Sequence, residues 1–344
     1  PAIAKPVVVI KRKSLFSSSI LDSIGDSSTL ISSILFAIIE IYISVLIINY
    51  YTKKYILKKM KKTEFKKKIS SEWFATLRNE ICFELEKIEN KNNKAKIKFS
   101  RKKWTRDKNG SQNLGGGEMS LLKGKVFEKA GVNISTVFGK FTKEFKNEIP
   151  GTEKSPNFWA SGISIVIHPF SPKIPSIHMN TRFIVTQKSW FGGGTDITPT
   201  DKKSSESIKI AKYFHNELKH ICEKYKKGSY LKYKDWCDKY FFLPHRNESR
   251  GLGGIFYDYL NSQNWQMDFT FTKNVGITFL NTYKKIVLDT IDSKWSVEDK
   301  KLQNLRRGRY TEFNLLYDRG TKFGLATNGN IEAILMSLPP SASW

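Results

Sequence analysis

Apolar positions along the 344-residue chain change character near residue 70. From Leu30 to Tyr51 the sequence is almost continuously apolar, with Glu40 its single charge. At about 1.5 Å per residue a helix of that length spans a bilayer, and Lys53 onward supplies a cationic flank. Residues 1–70 therefore read as a cleaved targeting leader or a membrane anchor. The alternative is a poorly structured extension or an amphipathic surface helix, because Glu40 is costly in mid-bilayer. From Glu72 the pattern becomes that of a globular core. Trp73, Leu77, Ile81, Leu85 and Ile88 recur at steps of three and four, which predicts a helix over 72–89. Ala211, Phe214, Leu218, Ile221 and Tyr225 predict another over 205–226. Gly162–His168 and Arg182–Gln187 are rich in β-branched residues and predict strands. Gly253–Tyr257, Glu312–Tyr317 and, after a turn at Asn328–Gly329, Ile331–Ser337 are further strand candidates. Such a mixture is α+β or α/β, and periodicity does not choose between them.

Composition narrows the class without fixing a function. The chain is 40% hydrophobic and 13% aromatic, enough for a sizeable core in one large domain or two ordinary ones. A net charge of +26 favours anionic partners: nucleic acid, an acidic membrane surface or a polyanionic small molecule. Two Lys-dominated runs, Lys53 to Lys68 and Lys91 to Lys103, the second interleaved with Asn, read mainly as a solvated surface. No nucleic-acid-binding motif accompanies them, so nucleic acid is not the expected partner. Three cysteines, Cys82, Cys222 and Cys237, form no C-x-x-C pair and read as reduced thiols.

Chemistry concentrates in three segments. The first runs from His168 to Arg182, where three prolines rigidify the connection between two strands. Beyond that turn, alternation places His178, Asn180 and Arg182 on one edge of a strand. An imidazole, an amide and a guanidinium together can hold and protonate a carboxylate; three exposed polar residues are the plainer reading. The second segment, Trp190–Pro199, holds Gly192, Gly193 and Gly194, which allow a ligand close to the backbone. It fits neither the P-loop nor the dinucleotide fingerprint. Asp196 beside it can orient an N–H or act as a base, or simply cap its own turn. The third segment, His245–Asp258, sets basic residues beside a glycine-rich strand entry, as anion binding or an exposed salt-bridged turn would. No compact histidine or cysteine set indicates a metal site.

At these segments the chain closely resembles the oxygen-dependent coproporphyrinogen III oxidases. The likeness is carried by GKVFEKAGVNIS (124–135), His168–Arg182, WFGGGTDITP (190–199), WCDKYF (236–241), LPHRNESRGLGGIFYD (243–258), RRGRYTEFNLLYDRGTKFGL (306–325) and ILMSLPP (334–340). It covers about Glu72 to Trp344, so residues 71–344 are expected to form the catalytic domain. The resemblance implies an α+β fold, a large antiparallel sheet with helices on both faces, assembled as a homodimer. It implies His178 as proton donor, with Ser164, Asn180, Thr181, Arg182 and the Asn328–Gly329–Asn330 turn contacting substrate. Asp196 and Arg250 match residues implicated in catalysis or substrate binding. His168, His178, His215 and His245 match positions assigned to a divalent metal in some members, although no metal or organic cofactor is required in general. His245 and the stretch from Tyr310 to Trp344 match regions associated with dimerisation.

The activity so implied converts coproporphyrinogen III and O2 into protoporphyrinogen IX in haem biosynthesis, in the cytoplasm or the mitochondrial intermembrane space. Membrane association through residues 30–51 is compatible with it. Several departures stand out: Asn330 where relatives carry Arg, Tyr259 where they carry Asp, and an expected continuation beyond Trp344. They leave a non-catalytic porphyrinogen-binding relative as the main rival reading, and a basic membrane-surface or nucleic-acid protein as a second.

Overall fold

The computed structural model describes residues 34–48, 62–91, 96–106, 112–141, 149–326 and 329–344. The chain divides into two compact units between Phe65 and Lys66. In the first, α1 (residues 34–48) leaves Ile34, Phe36, Ile41 and Tyr42 exposed. Among the described residues no helix is long and apolar enough to cross a membrane. The ends of the Leu30–Tyr51 run lie outside the described residues.

The second unit is built on an antiparallel sheet of seven strands. A meander lays down β1 (Ser100–Thr105), β2 (Gly115–Leu122), β3 (Phe127–Lys140), β4 (Asn157–Pro169), β5 (Ser176–Val185) and β6 (Ser189–Thr198) in spatial order. The chain then leaves the sheet for α3 (Ser205–Tyr225), α4 (Ser229–Tyr240) and the short pair β7 (Phe242–Leu243) and β8 (Glu248–Ser249). It returns as β9 (Gly254–Leu260) beside β6. Helices α5 (Trp265–Thr290), α6 (Val297–Leu316), α7 (Arg319–Ala326) and α8 (Ile331–Leu335) follow α2 (Lys62–Glu89) in completing the unit.

Side chains of a strand alternate between faces, and the faces here differ in chemistry. Along β5, Ile177, Met179, Thr181, Phe183 and Val185 are buried, whereas His178, Asn180, Arg182 and Ile184 are half-buried. The buried face, continued by Ile163, Ile165 and Ile167 of β4, packs on Leu77 and Ile81 of α2, Phe214 of α3, and Val275 and Phe279 of α5. Burying such side chains contributes roughly 1.5–3 kcal/mol each, so this layer fixes the orientation of the sheet. A smaller cluster of Cys237, Phe241, Leu243, Phe256 and Phe313 lies at α4, β9 and α6. Against the half-buried face, Met336 seats over Gly131, where a β-carbon would come within 1.5 Å of its sulfur.

The antiparallel α+β fold is the one the resemblance implied. Helix 72–89 is the latter part of α2, and α3 begins at the Ser204 cap, whose side chain accepts from the Ser207 amide. The strand assigned to Glu312–Tyr317 is corrected. Those residues are the last turn and cap of α6, which starts with a capping box between Ser296 and Asp299. Ile331–Ser337 is likewise no strand but opens as α8.

Candidate active site

Register brings the polar residues of the half-buried face into rows. Ser164 of β4 pairs with Asn180 of β5, and Gly162 with Arg182. On the far side of β5, Arg182 pairs with Gly192, Asn180 with Gly194, and His178 with Asp196. With glycine at 162, 192 and 194 the floor around these polar groups is bare backbone. Thr181 is turned away: alternation sends it to the helix-packed face, where it is fully buried. Of the expected Asn180–Thr181–Arg182 trio, the side chains of Asn180 and Arg182 share the opposite, half-buried face.

His178 and Asp196 form the core of the site. Nδ1 of His178 lies 2.9 Å from Oδ1 of Asp196. Asp196 is buried and also accepts two hydrogen bonds from Nη2 of Arg250, at 2.8 and 2.6 Å. Burial alone pushes the Asp196 carboxyl up; Arg250 and the hydrogen bond from His178 outweigh it and hold the group below its ordinary value. An ionised Asp196 accepts from Nδ1–H, so Nε2 is the nitrogen left for proton exchange. Asn180 Nδ2 sits 3.2 Å from that Nε2, and Thr195 Oγ1 donates to the His178 carbonyl at 2.7 Å.

Arg250, expected to serve substrate binding or catalysis, is enclosed by aromatic rings. Its side chain is only 1% exposed. The guanidinium lies 4.0 Å from the ring centre of Phe241, 4.4 Å from that of Tyr310 and 4.8 Å from that of Phe313. Inside this cage its ion pair is with Asp196. Arg182 is the accessible guanidinium, one-third exposed, and its Nη2 donates to Oδ2 of Asp258 at 2.7 Å.

Other expected positions scatter. His168 is buried, with Nε2 2.9 Å from the Ser337 carbonyl, and desolvation lowers its pKa to about 3. His215 is held between the Leu252 carbonyl at 2.8 Å and the Tyr230 hydroxyl at 3.0 Å, and burial lowers its pKa too. His245 lies between Glu312 at 2.7 Å and the Tyr317 hydroxyl at 2.9 Å. The four candidate ligands His168, His178, His215 and His245 thus do not converge. Among the described residues no three His, Cys, Asp or Glu side chains are arranged to hold a metal ion. Of the expected turn, Asn328 lies outside the described residues, and Gly329 donates to the Gly324 carbonyl at 2.8 Å. Asn330 caps α8, its Oδ1 accepting from the Ala333 amide at 2.9 Å. Of the expected dimer residues, Tyr310 is buried beside Arg250, whereas Trp344 is exposed with its indole N–H on Glu312 at 2.8 Å.

Sequence reasoning missed Asp258 and the aromatic cage of Arg250. Asp258 had been read only as the end of a motif, and no local pattern announces a partner 76 residues away. The cage comes from α6 and the turn after α4, elements whose proximity only the fold creates.

A glycine-floored patch on an antiparallel sheet, with a buried carboxylate holding an imidazole and an open guanidinium beside it, has the chemistry to hold an anion and exchange a proton with it. Comparison with known proteins makes this specific. The sequence model of the family described as coproporphyrinogen III oxidase matches residues 69–344. Proteins named oxygen-dependent coproporphyrinogen-III oxidase from Rickettsia bellii (strain RML369-C), Rickettsia rickettsii (strain Sheila Smith) and Rickettsia akari (strain Hartford) are similar throughout. Each is 55% identical over 282 residues, which is 81% of this chain and 98% of the relative. The chain belongs to the coproporphyrinogen III oxidase family.

Proposed function

We propose that the chain is an oxygen-dependent coproporphyrinogen III oxidase, converting two propionates of coproporphyrinogen III into the vinyl groups of protoporphyrinogen IX within haem biosynthesis. The observation that carries this reading is the Arg250–Asp196–His178 chain facing a glycine floor beside Arg182. For each propionate the bond from the carboxyl carbon breaks and carbon dioxide leaves. The methylene next to the ring loses a hydride equivalent, and a carbon–carbon double bond forms. Dioxygen takes the two electrons and becomes hydrogen peroxide. The balance consumes one proton per propionate beyond the hydrogen lost from carbon.

His178 is suited to supply that proton. Asp196 fixes its ring through Nδ1, which leaves Nε2 as the nitrogen to exchange the proton. Arg182 holds a carboxylate with its charge, and Asn180 and Ser164 position polar edges of the same substrate. The electron-rich porphyrinogen is itself the reductant, so the protein's task is to orient the ring and manage protons. Arg250 acts by keeping Asp196 ionised rather than by touching substrate.

Incubation with coproporphyrinogen III under air tests the reading. Protoporphyrinogen formation that needs oxygen and is lost in His178→Ala supports it; binding without turnover in the wild-type chain overturns it. The same reading includes a homodimer and association with an anionic membrane through the apolar N-terminal run. Light scattering after gel filtration tests the dimer.

A further inference from the structure

We propose that Asp258, on β9, is a positioning residue that holds the Arg182 guanidinium across the sheet at the angle a substrate carboxylate requires. This inference rests on the oxidase reading of the site and adds a residue to it.

Three features of the backbone converge on that side chain. Strands β6 and β9 slip register here: Phe191 pairs with Leu260 but Gly193 pairs with Tyr257. Asp258 and Tyr259 therefore both face the single residue Gly192, a β-bulge, the device by which a strand re-aims a side chain. Tyr259 adopts the left-handed conformation, with φ of 53°, which is disfavoured for a bulky residue and persists only where the surroundings enforce it. Its amide donates to Oδ1 of Asp258 at 3.0 Å. One carboxylate oxygen is thus fixed by the bulge, and Oδ2 is left for Arg182 at 2.7 Å.

Gly192 makes the reach possible. A β-carbon there would lie 2.5 Å from Asp258 Oδ1 and 3.0 Å from Arg182 Nε, so any side chain would push the pair apart. Asp258 is 10% exposed and Arg182 33%: Nη2 of the guanidinium is engaged by the protein while part of the side chain stays open. A guanidinium with five donors in a rigid plane can serve two carboxylates at once, one holding it and one held. Without Asp258, Arg182 keeps its charge but gains rotamer freedom that substrate binding must then remove.

The test is a double-mutant cycle on binding and turnover. Coproporphyrin III, the oxidised tetracarboxylate that cannot react, serves as the binding probe through its fluorescence, and coproporphyrinogen III as the turnover substrate. Asp258→Ala is expected to raise both the probe's Kd and KM by about tenfold, the size of a charge-assisted contact, with kcat changed far less. Asp258→Asn, which keeps an acceptor for Arg182, is expected to fall between Asp258→Ala and the wild type. In an Arg182→Ala background, Asp258→Ala is expected to have no further effect on either. Equal, additive losses in the two backgrounds, or a fall in kcat at unchanged KM, overturn the proposal. Thermal melting of each variant separates these outcomes from unfolding. Probe binding that obeys the cycle in a chain without turnover keeps the Arg182–Asp258 assignment while refuting the oxidase reading.

Discussion

At the scale of the residue, the site depends on charges that are buried and paired. Arg250 and Asp196 are both about 1% exposed, and removing one member of such a pair strands the other in a low dielectric. Arg250→Met should therefore destabilise the protein by about 3–5 kcal/mol, read from urea unfolding at neutral pH, and should abolish turnover. Stability unchanged in that variant would mean that Asp196 finds water or another cation. His168 offers a second titration. Its folded pKa, about 3, lies below the ordinary value of 6.5, so above that value both states are neutral and the residue is silent. As pH falls from 6.5 toward 3, the unfolded chain takes up a proton that the folded chain refuses. Stability then declines with a slope of at most about 1.4 kcal/mol per pH unit from this group. Unfolding curves at pH 7 and pH 5 should therefore converge in His168→Gln relative to the wild type. Parallel behaviour would assign the acid sensitivity elsewhere. Alternation along β5 made the common face of His178, Asn180 and Arg182 legible in the sequence. The burial of Arg250 was not, because a basic residue beside glycines looks the same whether it ends in solvent or in an aromatic cage.

Elements were legible where one face was apolar throughout. The stripes of α2 and α3 and the β-branched runs of β4 and β5 announce themselves because their partners are aliphatic and aromatic side chains. Helix α6 hides. Its buried positions include Gln303, Arg307, Gly308 and Asn314 beside Tyr310 and Phe313. Gln303 and Arg307 hydrogen-bond the Pro169 carbonyl instead of entering an apolar layer. What remains visible is the short run Phe313 to Tyr317, which reads equally well as a strand. The same holds for α8, five residues long, whose identity rests on the Asn330 cap and on Met336 seated over Gly131. That seat yields a prediction at this scale. Gly131→Ala places a methyl group on the Met336 sulfur and should cost about 1–3 kcal/mol of stability through overpacking. Adding Met336→Ala should return part of that loss, because the smaller side chain vacates the space. If the double variant is less stable by the sum of the single losses, the two residues are not the knob and hole inferred here. Turnover should fall with the single change as well, since Asn133 of β3, the register partner of Ser164 on β4, donates to the Ala333 carbonyl of α8 at 2.8 Å.

For the whole molecule, the chain's +26 charge suits an anionic substrate and, on the proposed N-terminal association, an anionic membrane, and salt acts on the two differently. A tetracarboxylate substrate approaching the site is drawn by the summed field, which is screened over about 10 Å at 0.1 M salt. A membrane would instead meet Leu30–Tyr51, which is apolar but for Glu40, and the Lys block that follows. Lysines near an anionic surface contribute about 1 kcal/mol each and are released by salt, whereas a buried apolar segment is not. The 344-residue chain should therefore pellet with vesicles of phosphatidylcholine and phosphatidylglycerol. Much of it should stay bound at 1 M salt, while a chain starting at Lys66 should remain in the supernatant at every ionic strength. Complete release of the 344-residue chain by salt would reduce the N-terminal contribution to its lysines alone. Retention of the shortened chain would move the membrane contact onto the catalytic unit. The decisive comparison is turnover at matched ionic strength. If residues 1–65 only localise the enzyme, kcat/KM for soluble coproporphyrinogen III should be the same with and without them, and vesicles should change the rate for neither.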